Sequence, residues 1–273
     1  MDKESFVIGQ FHSAYIGDDG AVIENMIYSM DAFCEGIHFE RSWMTAAQIG
    51  RKAMLVNLSD AVAMNAEPRF AMISISIPKD FSQAEIIELT QGLEATAESF
   101  GCEIIGGDTV GGDRLHLSIA LISKSDSPLL RKGLNDGDWL AYTGTLGESK
   151  RDLERLMRGE KIDRDSKFYI PELRREFIAA SRVYLSAGMD ISDGLYCDTN
   201  KLLDANHTGF EPLIEIENEI GMSGEEYEML IAVPPENIEK VIEIAAETNT
   251  LLTYYAKVAA NGRRYRCHSH HFG

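Results

Sequence analysis

The stretch AMLVNLSDAVAMNA (residues 53–66) is almost wholly apolar, yet it contains one carboxylate, that of Asp60. An apolar segment of this length predicts a helix that is buried on most of its surface. Asn57 lies three residues before Asp60, so both polar side chains face the same side of that helix. An unpaired buried carboxylate is costly, and no Lys or Arg lies between Lys52 and Arg69. A metal ion is therefore a reasonable partner for Asp60.

Strand and helix patterns surround this segment. Residues 70–77 alternate at period two, which is typical of a half-buried strand, and Pro78 ends the run. Ser82 and Glu85 form a capping-box signal that predicts a helix as far as Phe100. Further strands are predicted over residues 115–122, 138–143, 228–233 and 251–258, and a further helix over residues 236–247. The pattern indicates a mixed α/β (α+β) protein without strict βαβ alternation.

A polar stretch, SKSDSP (residues 123–128), separates two halves of the chain and suits a domain boundary. The first half carries most of the aspartate motifs. We therefore expect one domain over residues 1–125 and a second over residues 126–273.

The charge of the chain limits its partners. Lys and Arg number 26 against 44 Asp and Glu, which gives a net charge of −18. Such a surface repels nucleic acid, and an anionic substrate would need divalent cations between itself and the protein. The alternative is that the charge only maintains solubility. No window approaches a membrane helix, the start lacks a signal-peptide pattern, and four scattered cysteines favour a reducing cytoplasm.

Five acidic motifs stand out, and several of them place aspartate beside glycine or a small polar residue. They are GDDG (17–20), MD (30–31), NLSD (57–60), GGDT (106–109) and DISDG (190–194). Glycine lets a ligand approach the backbone, and aspartate supplies the oxygen ligand that Mg²⁺ and Ca²⁺ prefer. Each motif alone is also typical of a turn or a helix cap. Together, dispersed aspartates suit several Mg²⁺ ions that bridge a polyphosphate, because Mg²⁺ usually takes only one or two protein carboxylates.

Several other enzyme classes find no support in the sequence. The chain contains no P-loop motif and no G-x-G-x-x-G motif. It also lacks the G-x-S-x-G nucleophile motif and any H-E-x-x-H or cysteine-based zinc spacing. His268, His270 and His271 are more typical of a solvated tail than of a soft-metal site.

Taken in order, the motifs resemble those of the thiamine-monophosphate kinase family, within the aminoimidazole-ribonucleotide-synthetase-like (PurM-like) superfamily. The resemblance extends over nearly the whole chain. The segments that carry it are IGDDGAVI (16–23), DAFCEGIHF (31–39), KAMLVNLSDAVAMNAEP (52–68), IGGDT (105–109), GDWLAYTG (137–144), DISDGL (190–195) and SGEEYE (223–228).

The resemblance implies a two-domain PurM-like architecture, with an N-terminal domain that dimerises and an active site between the domains. It implies ATP-dependent phosphorylation of thiamine monophosphate to thiamine diphosphate in a cytoplasmic homodimer. Several Mg²⁺ ions would assist the transfer, and a role for K⁺ is left open. The acceptor is a phosphate monoester that is already anionic, so no general base is required.

The resemblance also assigns residues to roles. Those implied for Mg²⁺ are Asp19, Ser29, Met30 (through its backbone), Asp31, Asp60, Asp108, Asp190 and Asp193. Those implied for ATP are Gly107, Asp108, Arg131 and Ser192. Those implied for the acceptor are His38, Glu225, Glu226 and Tyr227. Asp60, Asp108 and Asp193 would support the transfer itself.

The sequence departs from the family at three positions. Glu226 replaces an aspartate, Ser223 replaces a glycine, and Ser269 stands where an aromatic residue is expected to pack on the substrate. The alternatives within the superfamily are aminoimidazole ribonucleotide synthetase, the hydrogenase-maturation dehydratase and selenophosphate synthetase. The last would need a reactive cysteine near the N-terminus, and the first cysteine here is Cys34. A non-catalytic protein that binds divalent cations or a nucleotide is an alternative of a different class.

Overall fold

The structure contains two five-stranded sheets, one formed by each half of the chain. It is a computed structural model that describes residues 3–267. Ser269 and the histidines at positions 268, 270 and 271 lie outside the described residues. The mixed α/β architecture agrees with the fold class expected from the sequence. The domain division at residue 125 stays a prediction.

The strands and helices have the following bounds. The first sheet contains β1 (Ala21–Ile23), β2 (Met26–Cys34), β3 (Glu67–Pro78), β4 (Glu103–Gly112) and β5 (His116–Lys124). The second contains β6 (Trp139–Thr143), β7 (Ala187–Asp190), β8 (Gly209–Pro212), β9 (Met229–Val233) and β10 (Leu252–Ala259). The helices are α1 (Lys3–Ile8), α2 (Ala46–Ala63), α3 (Gln83–Ser99), α4 (Glu148–Met157), α5 (Arg175–Ser181), α6 (Leu195–Ala205), α7 (Asn218–Gly221) and α8 (Ile238–Glu247).

The first sheet has the strand order β1-β2-β5-β3-β4, and only β3 and β4 run parallel, joined by α3. One row of paired residues crosses it from Asp31 through Ile119 and Ile73 to Gly107. Three strand spacings separate the two ends of that row, or about 14 Å. The GGDT motif (106–109) therefore lies in the edge strand β4 rather than in a turn.

The second sheet has the order β7-β9-β6-β10-β8 and is antiparallel throughout. Two motifs extend from its neighbouring strands β7 and β9 and pair with each other. Ile191 N–H donates to the carbonyl of Glu228 at 2.8 Å, and Tyr227 N–H donates to that of Ile191 at 2.9 Å. Glu225 N–H donates to the carbonyl of Ser192 at 2.7 Å. This pairing holds the DISDG and SGEEYE segments side by side.

Helix α2 lies between the two halves. It packs on α3 and on β2, β3 and β5 of the first sheet, and its other side contacts β7 and α5. The helix predicted over residues 53–66 starts earlier, because Thr45 and Gln48 form a capping box. Thr45 N–H donates to Gln48 Oε1 at 2.9 Å, and Gln48 N–H donates to Thr45 Oγ1 at 3.2 Å. Contacts on both sides explain why its apolar character is continuous rather than striped.

The other predicted elements are present with shifted ends. The strand patterns over 70–77 and 115–122 form the central parts of β3 and β5, and Ser82 caps α3 with Glu85 as its capping-box partner. Strands β1, β2, β4, β7 and β8 were not predicted. Within residues 3–267, none of the helices combines the length and apolar character that crossing a bilayer requires.

Helices α2 and α3 approach closely at two glycines. A Cβ atom on Gly50 would lie 2.2 Å from the Leu89 carbonyl oxygen, and one on Gly92 would lie 2.2 Å from that of Ala47. Both distances are far below van der Waals contact, and the atoms met belong to backbone. A side chain at either position would therefore force the helices apart.

We expect Gly92→Ala to lower the free energy of unfolding by about 1–3 kcal/mol, since overpacking outweighs the better helix propensity of alanine. Urea denaturation monitored by circular dichroism measures this change. The matched control is Glu94→Ala, which alters an exposed position of the same helix. Equal stability of the Gly92 variant and the wild type would contradict the close packing.

Candidate active site

Four carboxylates from four different segments approach one another beside α2. Asp19 comes from the loop before β1, Asp31 from β2, Asp60 from α2, and Asp190 from the end of β7. Burial raises the pKa of Asp60 well above its ordinary value. The charges of Asp31, Asp190 and Asp19 raise that pKa further. The sequence predicted all four as metal ligands, and the fold brings them together.

Side chains of α2 orient two members of this carboxylate cluster. Asn57 Oδ1 accepts the backbone N–H of Asp31 at 2.9 Å, and Asn57 Nδ2 donates to the Ala53 carbonyl at 2.9 Å. Ser59 Oγ donates to Asp190 Oδ2 at 2.6 Å. Burial and the charge of Asp19 raise the pKa of Asp190 well above its ordinary value, although the bond from Ser59 acts in the opposite direction. The Ser59–Asp190 bond ties the first half of the chain to the second.

Arg131, which lies far from α2 in the sequence, supplies a cation to this cluster. Its guanidinium donates through Nε to Asp19 Oδ1 at 3.0 Å, and Nη2 contacts the same oxygen. Burial alone would lower the pKa of Arg131, but Asp19 more than compensates and the pKa is raised. Burial raises the pKa values of Asp60 and Asp190, and one guanidinium among four carboxylates does not reverse that effect. Arg131 was predicted to contact ATP, and here it holds Asp19.

A second acidic group lies at the start of α6. Asp198 is fully buried, and its Oδ2 accepts the backbone N–H of Asp193 at 2.9 Å. Lys201 Nζ lies 3.2 Å from Asp198 Oδ1 and also contacts the carboxylate of Asp193. Burial raises the pKa of Asp198 to about 7, although Lys201 acts in the opposite direction. Sequence reasoning missed Asp198 and Lys201; a carboxylate on the apolar face of α6 was the available signal.

A cavity of about 320 Å³ opens beside the DISDG motif. Its walls include four residues that the sequence assigned to substrate, nucleotide or metal, namely His38, Ser192, Asp193 and Glu225. The remaining lining residues were not predicted. The apolar walls are formed by Ile37, Leu153, Phe168 and Met222. The rest of the lining consists of Ser149, Lys150, Glu154 and Gly224. The cavity is therefore apolar on part of its surface and charged near Asp193.

The orientation of His38 follows from one backbone contact. Cys34 N–H donates to His38 Nδ1 at 3.0 Å, and the imidazole stacks on Phe33 with a centroid distance of 5.6 Å. A nitrogen that accepts a hydrogen bond carries no proton, so the neutral ring holds its proton on Nε2. The contact with Cys34 thus fixes the His38 ring in the wall of the cavity.

Glu225 is linked to α2 through a buried lysine. Lys52 is fully buried, its Nζ lies 2.6 Å from Glu225 Oε2, and it also lies 3.8 Å from the ring centroid of Phe168. A charge-assisted bond and a cation–π contact thus compensate the desolvation of the ammonium. They fix both Glu225 and Phe168 in the wall of the cavity.

Glu226 and Tyr227 lie behind the cavity wall rather than on it. Glu226 is fully buried, and its Oε1 accepts N–H groups of Gly147 at 2.7 Å and Ser149 at 3.3 Å. These donors belong to the start of α4, so the Glu226 carboxylate caps that helix. Tyr227 is also buried, which raises its pKa. Substrate contact by these two residues stays a prediction, whereas Glu225 reaches the cavity directly.

The remaining predicted residues lie on the first sheet. Asp108 is exposed on β4, where its Oδ1 accepts Thr109 N–H at 2.9 Å. It lies in the strand that is about 14 Å across the sheet from that of Asp31. A Cβ atom on Gly107 would lie 1.7 Å from the Ile73 carbonyl oxygen, so only glycine permits this strand pairing. Ser29 is buried, and the side chain of Met30 is exposed on the opposite face.

Comparisons with known proteins agree with this geometry. The family described as "AIR synthase related protein, N-terminal domain" matches residues 17–123. The thiamine-monophosphate kinase of Aquifex aeolicus (strain VF5) is 32% identical over 229 residues, which cover 79% of this chain and 74% of that protein. Among solved structures, AaThiL complexed with AMPPCP and TMP has a TM-score of 0.86 at 24% identity, covering 99% of this chain and 96% of that one. A chain of the HypE–HypF complex has a TM-score of 0.79 at 16% identity, with 97% of each chain covered; both structural matches show the fold.

The raised pKa of Asp60 gives a prediction about stability without metal. Because the folded state disfavours the ionised carboxylate, the free energy of unfolding falls as the pH rises toward the raised pKa. Asp60→Asn removes that penalty. We therefore expect the variant, in the presence of a chelator, to be at least as stable as the wild type at about pH 8, with a smaller difference at about pH 5.

Urea denaturation at both pH values measures this difference. Glu94→Gln serves as the control, since it removes an exposed carboxylate that lies outside the cluster. A variant that is clearly less stable than the wild type at the higher pH would show that the Asp60 charge is compensated by the protein itself.

Proposed function

The chain belongs to the thiamine-monophosphate kinase family, and we propose that it transfers the γ-phosphate of ATP directly to the phosphate of thiamine monophosphate, with the help of Mg²⁺. One observation carries this proposal. The DISDG motif (190–194) contributes Asp190 to the carboxylate cluster and contributes Ser192 and Asp193 to the neighbouring cavity. A site for cations that bind phosphate and a site for an organic acceptor thus share one wall. The proposed location is the cytoplasm, where four cysteines that form no disulfide in the described part of the chain are suited to the reducing conditions.

The chemistry requires positioning more than proton transfer. A phosphate monoester oxygen is anionic at neutral pH, so it attacks the γ-phosphorus without a general base. The bond from phosphorus to the acceptor oxygen forms as the bond to the bridging oxygen of ADP breaks. His38 and Glu225 hold the acceptor, and the apolar walls of the cavity exclude water from it.

The residues present fit Mg²⁺. All of the groups in the cluster are oxygen donors, and burial together with their mutual repulsion raises the pKa of Asp60 and Asp190 despite the presence of Arg131. Within residues 3–267, no group of three or more acidic, histidine or cysteine side chains is placed to hold a metal ion by itself. Water and phosphate oxygens usually complete the coordination of Mg²⁺. When bound, Mg²⁺ supplies the positive charge that lets two polyanions approach.

We assign the cations to residues of both halves. Asp19, Asp31, Asp60 and Asp190 hold ions in the cluster, and Ser29, the backbone of Met30, Asp108 and Asp193 complete the ligand set. The gap of about 14 Å between the strands of Asp31 and Asp108 is a length that a nucleotide can occupy. Gly107, Asp108, Arg131 and Ser192 therefore contact ATP in this proposal.

The fold alone does not select the acceptor, because the HypE–HypF complex contains the same fold. The identity of 32% to a thiamine-monophosphate kinase supports the acceptor proposed here. The non-catalytic alternative predicts binding of ATP and Mg²⁺ without release of ADP.

Incubation with ATP, Mg²⁺ and thiamine monophosphate is expected to yield thiamine diphosphate and ADP, detected by mass spectrometry. Thiamine in place of its monophosphate is expected to remain unphosphorylated. Asp60→Asn should lower kcat by about 100-fold or more while the circular dichroism spectrum is unchanged, because the cluster loses a cation ligand.

Glu94→Gln is the control for the loss of one carboxylate and should keep wild-type activity. Absence of thiamine diphosphate with the wild-type chain would refute the proposed reaction. Near-normal turnover of the Asp60 variant at saturating Mg²⁺ would refute the role of Asp60.

We also propose a homodimer that forms through the first sheet. Tyr28 and Met30 on β2 align across β5 with Phe70 and Met72 on β3, and all four are exposed on the face opposite α2. Contiguous exposed apolar side chains of this kind are typical of a protein interface. A second copy of the same sheet face is the proposed partner.

Met72→Glu should convert the dimer to a monomer, because it places a charge in the apolar patch. Size-exclusion chromatography with light scattering gives the mass. The matched control is Ile242→Glu on α8, where the side chain is 49% exposed compared with 47% for Met72. A wild-type monomer, or a dimer that the Met72 variant retains, would exclude this interface.

A further inference from the structure

The basic residues around the cavity and the cluster are almost all committed to carboxylates. Lys52 pairs with Glu225, Arg131 with Asp19, and Lys201 with Asp193 and Asp198. Lys167 pairs with Glu226 and Glu228, and Arg174 also pairs with Glu228. These cations stabilise the frame, and none of them lines the cavity itself.

Lys150 is different. It lies on the first turn of α4 and lines the same cavity as His38, Ser192 and Asp193. Among the described residues, no carboxylate lies within ion-pair distance of its ammonium group. The hydrogen bond from Lys150 to Ser223 is made by the backbone N–H, not by the side chain. Lys150 is therefore the cation in the cavity wall that is free to bind a ligand.

The protein holds the backbone of Lys150 in a fixed position. Lys150 N–H donates to Ser223 Oγ at 3.2 Å, and Ser149 Oγ donates to the Glu225 carbonyl at 2.9 Å. The Glu226 carboxylate caps the same helical turn from behind the cavity wall. The first turn of α4 is thus bound to the segment that carries Glu225, so Lys150 and Glu225 are positioned together.

The local charge also favours an anion near Lys150. Residues 150–167 carry seven Lys and Arg against five Asp and Glu, whereas the whole chain has a net charge of −18. This net positive segment borders a cavity whose other charged groups are carboxylates. An anion that enters the cavity meets repulsion from Asp193, Glu154 and Glu225, and Lys150 offsets it.

We infer that Lys150 binds the phosphate group of the acceptor and thereby selects phosphorylated over unphosphorylated acceptors. The inference rests on the proposed function, because it assigns a substrate group to the same cavity. The ammonium of Lys150 binds the phosphate from the α4 side while the cation-binding carboxylates approach it from the DISDG side. The cationic ring of the acceptor is then directed toward the apolar and acidic walls.

The test is a steady-state kinetic comparison of the wild type with Lys150→Gln and Lys150→Arg. Loss of a charge-assisted hydrogen bond should raise the KM for thiamine monophosphate about tenfold or more in Lys150→Gln. The values of kcat and of the KM for ATP should stay within about twofold, since the residue does not touch the nucleotide. Lys150→Arg keeps the charge and should restore most of the affinity. Lys150→Met replaces the Gln variant if that protein does not fold.

Arg151→Gln is the matched control, because it removes the neighbouring charge from an exposed position outside the cavity lining. It should leave the KM for thiamine monophosphate unchanged. An unchanged KM in Lys150→Gln, an equal effect of Arg151→Gln, or a shift confined to the KM for ATP would each overturn the inference. A wild-type chain that makes no thiamine diphosphate would instead refute the proposed function, and the inference with it.

Discussion

The structure depends on the burial of α2 between two sheets, because burial obliges each polar side chain of that helix to find a partner. Lys52 reaches Glu225 on the acceptor side, whereas Asn57 and Ser59 hold Asp31 and Asp190 on the cation side. From Lys52 to Ser59 the helix rises about 10 Å. One rigid element therefore sets the separation between the acceptor cavity and the carboxylate cluster, and it joins segments that are far apart in the chain.

The carboxylates of the cluster repel one another, and the cations of the protein do not fully compensate this repulsion. Arg131 is bound to Asp19, and the pKa values of Asp60 and Asp190 remain raised. Such an arrangement lowers the stability of the folded state, a compromise that is common at functional sites and that the proposed binding of cations would explain. Because Asp190 belongs to the second sheet and Asp60 to α2, ions bound between them would also strengthen the contact between the two halves.

Local patterns predicted the elements that local forces determine. The capping box at Ser82 and the alternation over residues 70–77 gave α3 and β3, since short-range hydrogen bonds and side-chain periodicity form them. Strand β4 escaped prediction, because its glycines carry no periodic signal and its pairing with β3 is tertiary. The pairing of Arg131 with Asp19 spans 112 residues, and that of Glu226 with Gly147 spans 79. No pattern in one sequence reveals such partners, and Lys150 was missed for the same reason.

The SGEEYE segment shows how adjacent residues acquire different tasks. Glu225 and Tyr227 adopt positive φ angles of 54° and 52°, so the side chains do not follow the simple alternation of a strand. Glu225 faces the cavity, whereas Glu226 caps α4. Glu228 is buried, but Arg174 and Lys167 compensate its burial and leave its pKa below the ordinary value. A change at Glu226 would consequently alter the start of α4 and with it the position of Lys150. The motif thus places one carboxylate in the cavity wall and fixes the start of α4 beside it, while substrate contact by Glu226 and Tyr227 stays a prediction.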